Sequence, residues 1–143
     1  AAVFVNGRPD VAGAVGAQGV QLGGSDLGPG EARATFPHGW IGCSVHSTAE
    51  AEEAARQGAD YLLVGNVYET SSHPGRPGTG LGLVRDAAGL GVPVIAIGGM
   101  DAARAAAARD AGAYGVAAIA ALWWAPDPAA AALALLSPWS EGI

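Results

Sequence analysis

The stretch Val94-Ile95-Ala96-Ile97-Gly98-Gly99-Met100-Asp101 decides how the rest of the chain is read. Residues 94–97 are apolar and mostly β-branched, the composition of a strand covered on both faces. Two glycines follow; lacking a Cβ, they permit a tight turn and let the backbone approach a ligand closely. Asp101 then stands where a helix N-cap belongs, its carboxylate able to accept from the first-turn N–H groups. Strand, glycine turn and capped helix make one βα unit, and a strand so uniformly apolar belongs in a parallel sheet jacketed by helices.

The same unit recurs on both sides of it. Short β-branched runs predict strands over Val3–Val5, Gly19–Leu22, Trp40–Val45, Tyr61–Gly65, Val92–Ile97 and Gly115–Ile119. Ala-rich, charge-bearing segments between them predict helices over Asp10–Val15, Gly30–Thr35, Thr48–Gln57, Leu81–Ala88, Asp101–Asp110 and Pro128–Leu136. Ser47 with Glu50 has the spacing of a capping box. Asp127-Pro128 places a capping Asp before a proline at the first helical position. The phrases Ala17-Gln18-Gly19-Val20, Gly58-Ala59-Asp60-Tyr61 and Ala111-Gly112-Ala113-Tyr114-Gly115 each close a helix and open a strand. Glycine there serves the left-handed helix terminus. The expected fold is a phosphate-binding TIM (β/α) barrel, with residues 1–143 as a single domain. A closed barrel takes eight units, and six alone would leave open sheet edges. The chain is therefore expected to cover the last six units and to lack the first two.

Composition narrows the function. Half of the 143 residues are hydrophobic and only 14% are charged, which suits a packed core and not a disordered segment. The net charge of −6, from seven scattered Arg and no Lys, gives no basic stripe for nucleic acid. Without a lysine amine this chain forms no Schiff base with a carbonyl substrate. No apolar run is long enough to span a bilayer, no secretory leader pattern opens the chain, and one cysteine, Cys43, makes no disulfide framework. The cytoplasm is the expected compartment, with no nucleic-acid or membrane partner.

In barrels of this kind, the loops after the last two strands hold phosphate on backbone N–H groups. Gly98, Gly99, Ala118, Ile119 and Ala120 occupy those positions and are the expected phosphate contacts.

The motifs then become specific. Asn6-Gly7-Arg8, Val20-Gln21-Leu22, Arg33-Ala34-Thr35-Phe36-Pro37-His38, Ser44-Val45-His46-Ser47, Gly65-Asn66-Val67-Tyr68-Glu69-Thr70 and Ile97-Gly98-Gly99-Met100 follow one another with family-like spacing. In order and over nearly the whole chain, they resemble the family of thiamine-phosphate synthases and thiazole tautomerases. The resemblance implies a phosphorylated thiazole as substrate. The synthase branch joins it to a pyrimidine diphosphate and releases pyrophosphate. That branch's pattern has Asn-Asp after the third barrel strand, an Asp after the fourth that helps hold magnesium, and a Thr-x-Thr-Lys loop on the diphosphate. Here Asn6, Asp26, Thr70 and Ser72 match, while Gly7 stands at one Asp position and His73 at the Lys. The tautomerase branch is matched more closely. Its reaction moves a proton within a carboxylated thiazole phosphate, making the ring aromatic, and the resemblance implies no cofactor; magnesium enters only with the synthase. A non-catalytic thiazole-phosphate binder is the third reading.

The tautomerase branch can carry a His where this chain has Asn66, and an amide is no base near neutral pH. The proton carrier is therefore expected elsewhere. His46, at a strand end with a suitable ordinary pKa, is the first candidate and Glu69 the second. Asn6, Ser44, Asn66, Thr70 and Ser72 are the expected polar contacts to substrate. His73 and Arg76 fall in a Pro/Gly-rich loop that either covers the ligand or is plain surface. His38 precedes a strand, at the wrong end for chemistry. Cys43 alternates out of phase with Ser44 and is expected to pack in the core. Trp123-Trp124 is expected to pack a helix or a partner subunit, the one hint of a homo-oligomer.

Overall fold

The computed structural model describes residues 1–70, 74–75 and 77–140. The elements are β1 (Phe4–Asn6), α1 (Pro9–Ala14), β2 (Gly19–Leu22), α2 (Pro29–Thr35), β3 (Trp40–Val45), α3 (Thr48–Arg56), β4 (Tyr61–Val64), α4 (Gly80–Ala88), β5 (Val94–Ile97), α5 (Ala102–Asp110), β6 (Gly115–Ala117), α6 (Ala120–Trp123) and α7 (Pro128–Ser140). The six strands form one sheet in sequence order, every neighbouring pair parallel. The chain is a curled, six-stranded parallel half-barrel with its helices on one face.

Strand side chains alternate between two environments. Val20, Leu22, Ile41, Val45, Leu62, Val64, Val94 and Ala96 are fully covered beneath the helices. The helices present alanines to them, including Ala12, Ala32, Ala51, Ala54, Ala105 and Ala108, and so lie close to the sheet. Burying one Leu or Val side chain contributes roughly 1.5–3 kcal/mol, so this layer is the main source of cohesion. Gln21, Ser44, Tyr61, Leu63, Ile95 and Ile97 face the other way, into the concave side, and are half-buried.

Glycines make that concave side fit together. A Cβ on Gly19 would lie 2.2 Å from the Phe4 ring, and one on Gly42 would lie 2.0 Å from the Tyr61 ring. Gly19 pairs with Phe4, and Gly42 with Tyr61, in the sheet register. Each aromatic ring thus occupies the space left by a glycine on the adjacent strand, and the two rings meet edge to face at 5.9 Å.

Most predicted boundaries hold within one or two residues, and the differences have identifiable causes. β5 begins at Val94 because Pro93 has no N–H for the ladder, although its carbonyl still accepts from Leu62 N at 2.9 Å. β6 stops at Ala117, and the apolar run after it winds into α6, where Leu122 N and Trp123 N both donate to Ile119 O. α7 runs past its expected end to Ser140 with Pro138 inside it. Pro138 has no N–H to offer the Ala134 carbonyl; the Ser137 hydroxyl donates to that carbonyl at 2.9 Å instead.

The caps largely follow expectation. Asp101 accepts from Arg104 N at 2.9 Å, Asp127 from Ala130 N at 3.0 Å, and Ser47 Oγ from Glu50 N at 3.2 Å. The expected capping box is altered, however: Glu50 accepts from His46 N at 2.7 Å, one residue earlier than the cap.

Part of one motif turns out to be scaffolding. Arg33 donates to Gly39 O and to Asp60 Oδ2, and Asp60 also accepts from Ile41 N at 2.7 Å. With Phe36 in the core beside them, Arg33 and Asp60 tie α2 to the starts of β3 and β4. His38 is exposed at that same end. Cys43 packs against both halves of the core as expected, and burial, followed by Glu50 and Asp26, pushes its thiol pKa up. Trp123 and Trp124 are 78% and 79% exposed.

Candidate functional site

A cavity of about 540 Å³ opens at the C-terminal ends of the strands. Gly23 and Gly24 follow β2, Ser44 and His46 end β3, Asn66 follows β4, Gly98 and Gly99 follow β5, and Ala118–Ala120 follow β6; all of them line it. Five successive strand ends reach one cavity only because the sheet curls.

Ten of the twelve expected site residues stand together here: Ser44, His46, Asn66, Glu69, Thr70, Gly98, Gly99, Ala118, Ile119 and Ala120. Asn6 ends β1 and is exposed, outside this lining. Ser72 lies outside the described residues, as do His73 and Arg76.

The Gly98-Gly99 turn is built by close approach of two loops. Both glycines have positive φ, 105° and 63°, where a side chain is disfavoured. A Cβ on Gly98 would lie 2.6 Å from Asn66 Cβ, and one on Gly99 would lie 2.9 Å from Glu69 O. Tyr68 N donates to Gly98 O and Val67 N to Ile97 O, which ties the β4 loop to the β5 loop. Asn66 is held in turn: its Nδ2 donates to Tyr68 O at 3.1 Å, and its carbonyl accepts from Thr79 N at 2.8 Å.

Arg104 was not foreseen from the sequence. Its Nη1 donates to Gly99 O at 2.6 Å while its guanidinium lies 4.5 Å from the Tyr68 ring centroid. It reaches the glycine turn from the third residue of α5. Among the described residues, no turn, loop or side-chain hydrogen bond uses the N–H of Gly98, Gly99, Ala118, Ile119 or Ala120.

His46 sits on the rim with its side chain 58% exposed and its Nδ1 3.4 Å from Glu50 Oε2. The Glu50 carboxylate thus lies beside the imidazole. Glu69 is exposed on the opposite loop.

Of the carboxylates that the synthase resemblance assigns to magnesium, Asp26 alone is present, so such an ion would take most of its remaining ligands from substrate phosphates and water. Among the described residues no cluster of three His, Cys, Asp or Glu is placed to hold a metal. A Cβ on Gly7 would lie 2.9 Å from Asp26 Oδ1. Position 7, where the synthase pattern has an Asp, thus lies against Asp26, and the glycine there supplies no carboxylate. Asp26 Oδ2 accepts from Gly23 N at 2.7 Å, which fixes the direction of this carboxylate.

Comparison with known proteins decides the family. The profile described as Thiamine monophosphate synthase matches residues 1–122. The chain belongs to this family. A thiamine-phosphate synthase from Thermus thermophilus is 48% identical over 134 residues, 92% of this chain and 65% of that protein. One from Methanoculleus marisnigri is 46% identical over 135 residues, 92% of this chain and 64% of that protein. The chain thus spans just under two thirds of the length of these relatives. Among solved structures, a thiamine phosphate pyrophosphorylase from Pyrococcus furiosus superposes with a TM-score of 0.88 at 39% identity, covering 99% of this chain and 68% of that one. A 3-hexulose-6-phosphate synthase superposes with a TM-score of 0.70 at 26% identity, over 92% of this chain and 66% of its own. The relatives carry the synthase name, so ranking the tautomerase first from the motifs is not supported by them. Among the described residues, no helix is long and apolar enough to cross a membrane.

Proposed function

We propose that this member of the thiamine monophosphate synthase family binds the phosphate of a thiazole phosphate at the ends of β5 and β6. We propose further that it serves thiamine-phosphate synthesis, joining that thiazole to a pyrimidine diphosphate with release of pyrophosphate. One observation carries the binding reading. Five backbone N–H groups, at Gly98, Gly99, Ala118, Ile119 and Ala120, sit on one cavity without an internal acceptor among the described residues. Backbone donors at strand ends are the usual means of holding a phosphate in such barrels. Their relatives' names support the reaction. Ser44, Asn66 and Thr70 supply polar contacts around the ring and second substrate. His46, beside Glu50, is the first candidate to move a proton at the rim, with Glu69 opposite as the second.

A second reading, the metal-independent tautomerase, is favoured by one feature. Gly7 removes the carboxylate that would pair with Asp26, and the described cavity wall carries no Lys or Arg for a diphosphate. In that reading His46 moves the proton that makes the carboxylated thiazole aromatic.

The test supplies each substrate set in turn and follows pyrophosphate release and the ultraviolet change of ring aromatisation. Pyrophosphate formed from pyrimidine diphosphate plus thiazole phosphate supports the synthase. Aromatisation alone, unaffected by a chelator, supports the tautomerase. Calorimetric binding without either signal makes this protein a binder, and no binding at all ends the proposal.

A further inference from the structure

Beneath the cavity floor runs a chain of hydrogen bonds that the reaction has not yet used. Tyr61 Oη is 2.7 Å from Gln21 Oε1, and Gln21 Nε2 is 3.0 Å from Ser44 Oγ. All three side chains are half-buried on the concave face, and of the three only Ser44 lines the cavity. We propose that Tyr61 and Gln21 are positioning residues that turn the Ser44 hydroxyl hydrogen outward, making Ser44 an obligate donor to the bound substrate.

The direction of the chain follows from its chemistry. A phenol has one hydrogen to give, and an amide carbonyl is a strong acceptor. With Tyr61 donating to Oε1, the amide must present its NH2 to Ser44. Ser44 Oγ then spends a lone pair on Nε2 and keeps its own O–H for something else. In the reverse orientation the amide NH2 would donate to the phenol and Oε1 would draw the Ser44 hydrogen inward. The Tyr61 O–H would then lose its 2.7 Å bond to Oε1, and a half-buried donor that loses its partner is costly. Tyr61 is held in place for this role: its ring fills the space left by Gly42, and Phe4 packs against it edge to face. Burial, then Asp60, pushes its phenol pKa up to about 12, so the hydrogen stays on through the working range.

A fixed hydroxyl donor recognises an acceptor that cannot donate, such as a phosphate oxygen, a carboxylate oxygen or an unprotonated ring nitrogen. It discriminates against a ligand bearing a donor at that point, since Ser44 would then have to reverse. This inference rests on the thiazole-phosphate reading above, and the experiment separates the two.

Calorimetry with the thiazole phosphate is run on wild type, Tyr61→Phe, Ser44→Ala and the double variant, with thermal denaturation confirming that each is folded. Ser44→Ala is expected to weaken binding about tenfold, the loss of one hydrogen bond. Tyr61→Phe, which touches no ligand, is expected to weaken it about three- to fivefold by freeing the amide to flip. In the Ser44→Ala background, Tyr61→Phe is expected to change affinity by less than about twofold, because the hydroxyl it steers is gone. Gln21→Met serves as a second test, with the same dependence on Ser44. Equal losses in both backgrounds, or no loss in Tyr61→Phe alone, overturn the positioning role while leaving the ligand assignment standing. Wild type that fails to bind the thiazole phosphate overturns both.

Discussion

Replacing Gly99 with Val tests the phosphate site at its most constrained point. Two costs are separable. The backbone at φ 63° disfavours any L side chain by about 1–2 kcal/mol, more for a β-branched one. The new Cβ would also lie 2.9 Å from Glu69 O, 3.0 Å from Tyr68 Cβ and 3.2 Å from Arg104 Nη1. Overpacking of that kind costs roughly 1–3 kcal/mol and moves the backbone. Gly91 is the internal control: its φ is 77°, its Cβ would meet nothing within 4 Å, and it lies at the other end of β5. Gly91→Val therefore carries the backbone cost alone. Differential scanning calorimetry should show both variants destabilised, Gly99→Val by the larger amount. Isothermal calorimetry with the thiazole phosphate should show Gly91→Val binding as wild type. Displacing one or two charge-assisted donors by a few tenths of an ångström forfeits roughly 1.5–3 kcal/mol, so Gly99→Val should bind about 10–150-fold more weakly. A folded Gly99→Val protein with unchanged affinity would refute the phosphate assignment.

Three further outcomes are expected. His46→Asn should retain thiazole-phosphate binding while lowering turnover by about 10²–10⁴, whereas Asn66→His should leave turnover intact or raise it. Steady-state assays decide this, and a His46→Asn enzyme as fast as wild type passes the proton role to Glu69 or water. Asp60→Asn should destabilise the fold by about 1–3 kcal/mol in urea denaturation, by weakening the bonds from Arg33 and Ile41 N, with ligand affinity unchanged. The Tyr61 phenol pKa is raised from its ordinary value of 10 to about 12, so the folded state holds that proton when the unfolded state has released it. Its contribution is present below pH 10 and is lost as pH rises towards 12. Tyr61→Phe should flatten the stability profile over that window and remove the latest step of the phenolate absorbance titration.

The repeated βα pattern was legible because its signals were redundant: β-branched strands, glycine at helix ends and capping Asp residues agreed with one another. α6 was not, because 115–121 is an unbroken small and apolar run, and periodicity does not separate a strand from a helix in such a run. Its end showed only in three dimensions, where Ile119 O accepts the first helical bonds. The cavity glycines were readable from their position after β5. Arg104 was not, since a guanidinium three residues past a cap usually points to solvent, and only the turn it reaches back to makes it part of the site. Gln21 left a faint sign: a polar residue between Val20 and Leu22, on the face the strand turns inward. The motif around Arg33 reads as a signature, yet its Arg serves the far end of the sheet, because sequence proximity carries no information on which end of a strand a residue braces.

The interlocking of Gly19 with Phe4 and Gly42 with Tyr61 makes interior volume a quantity shared between adjacent strands rather than owned by either. A methyl group added at 42 has nowhere to go unless the ring at 61 shrinks, and a smaller residue at 61 leaves a void that only growth at 42 can fill. Substitutions at these positions are therefore viable in pairs and harmful singly. Because Tyr61 also directs the hydroxyl of Ser44, a size change beneath the cavity floor would reach the ligand as a change in which atom it is offered.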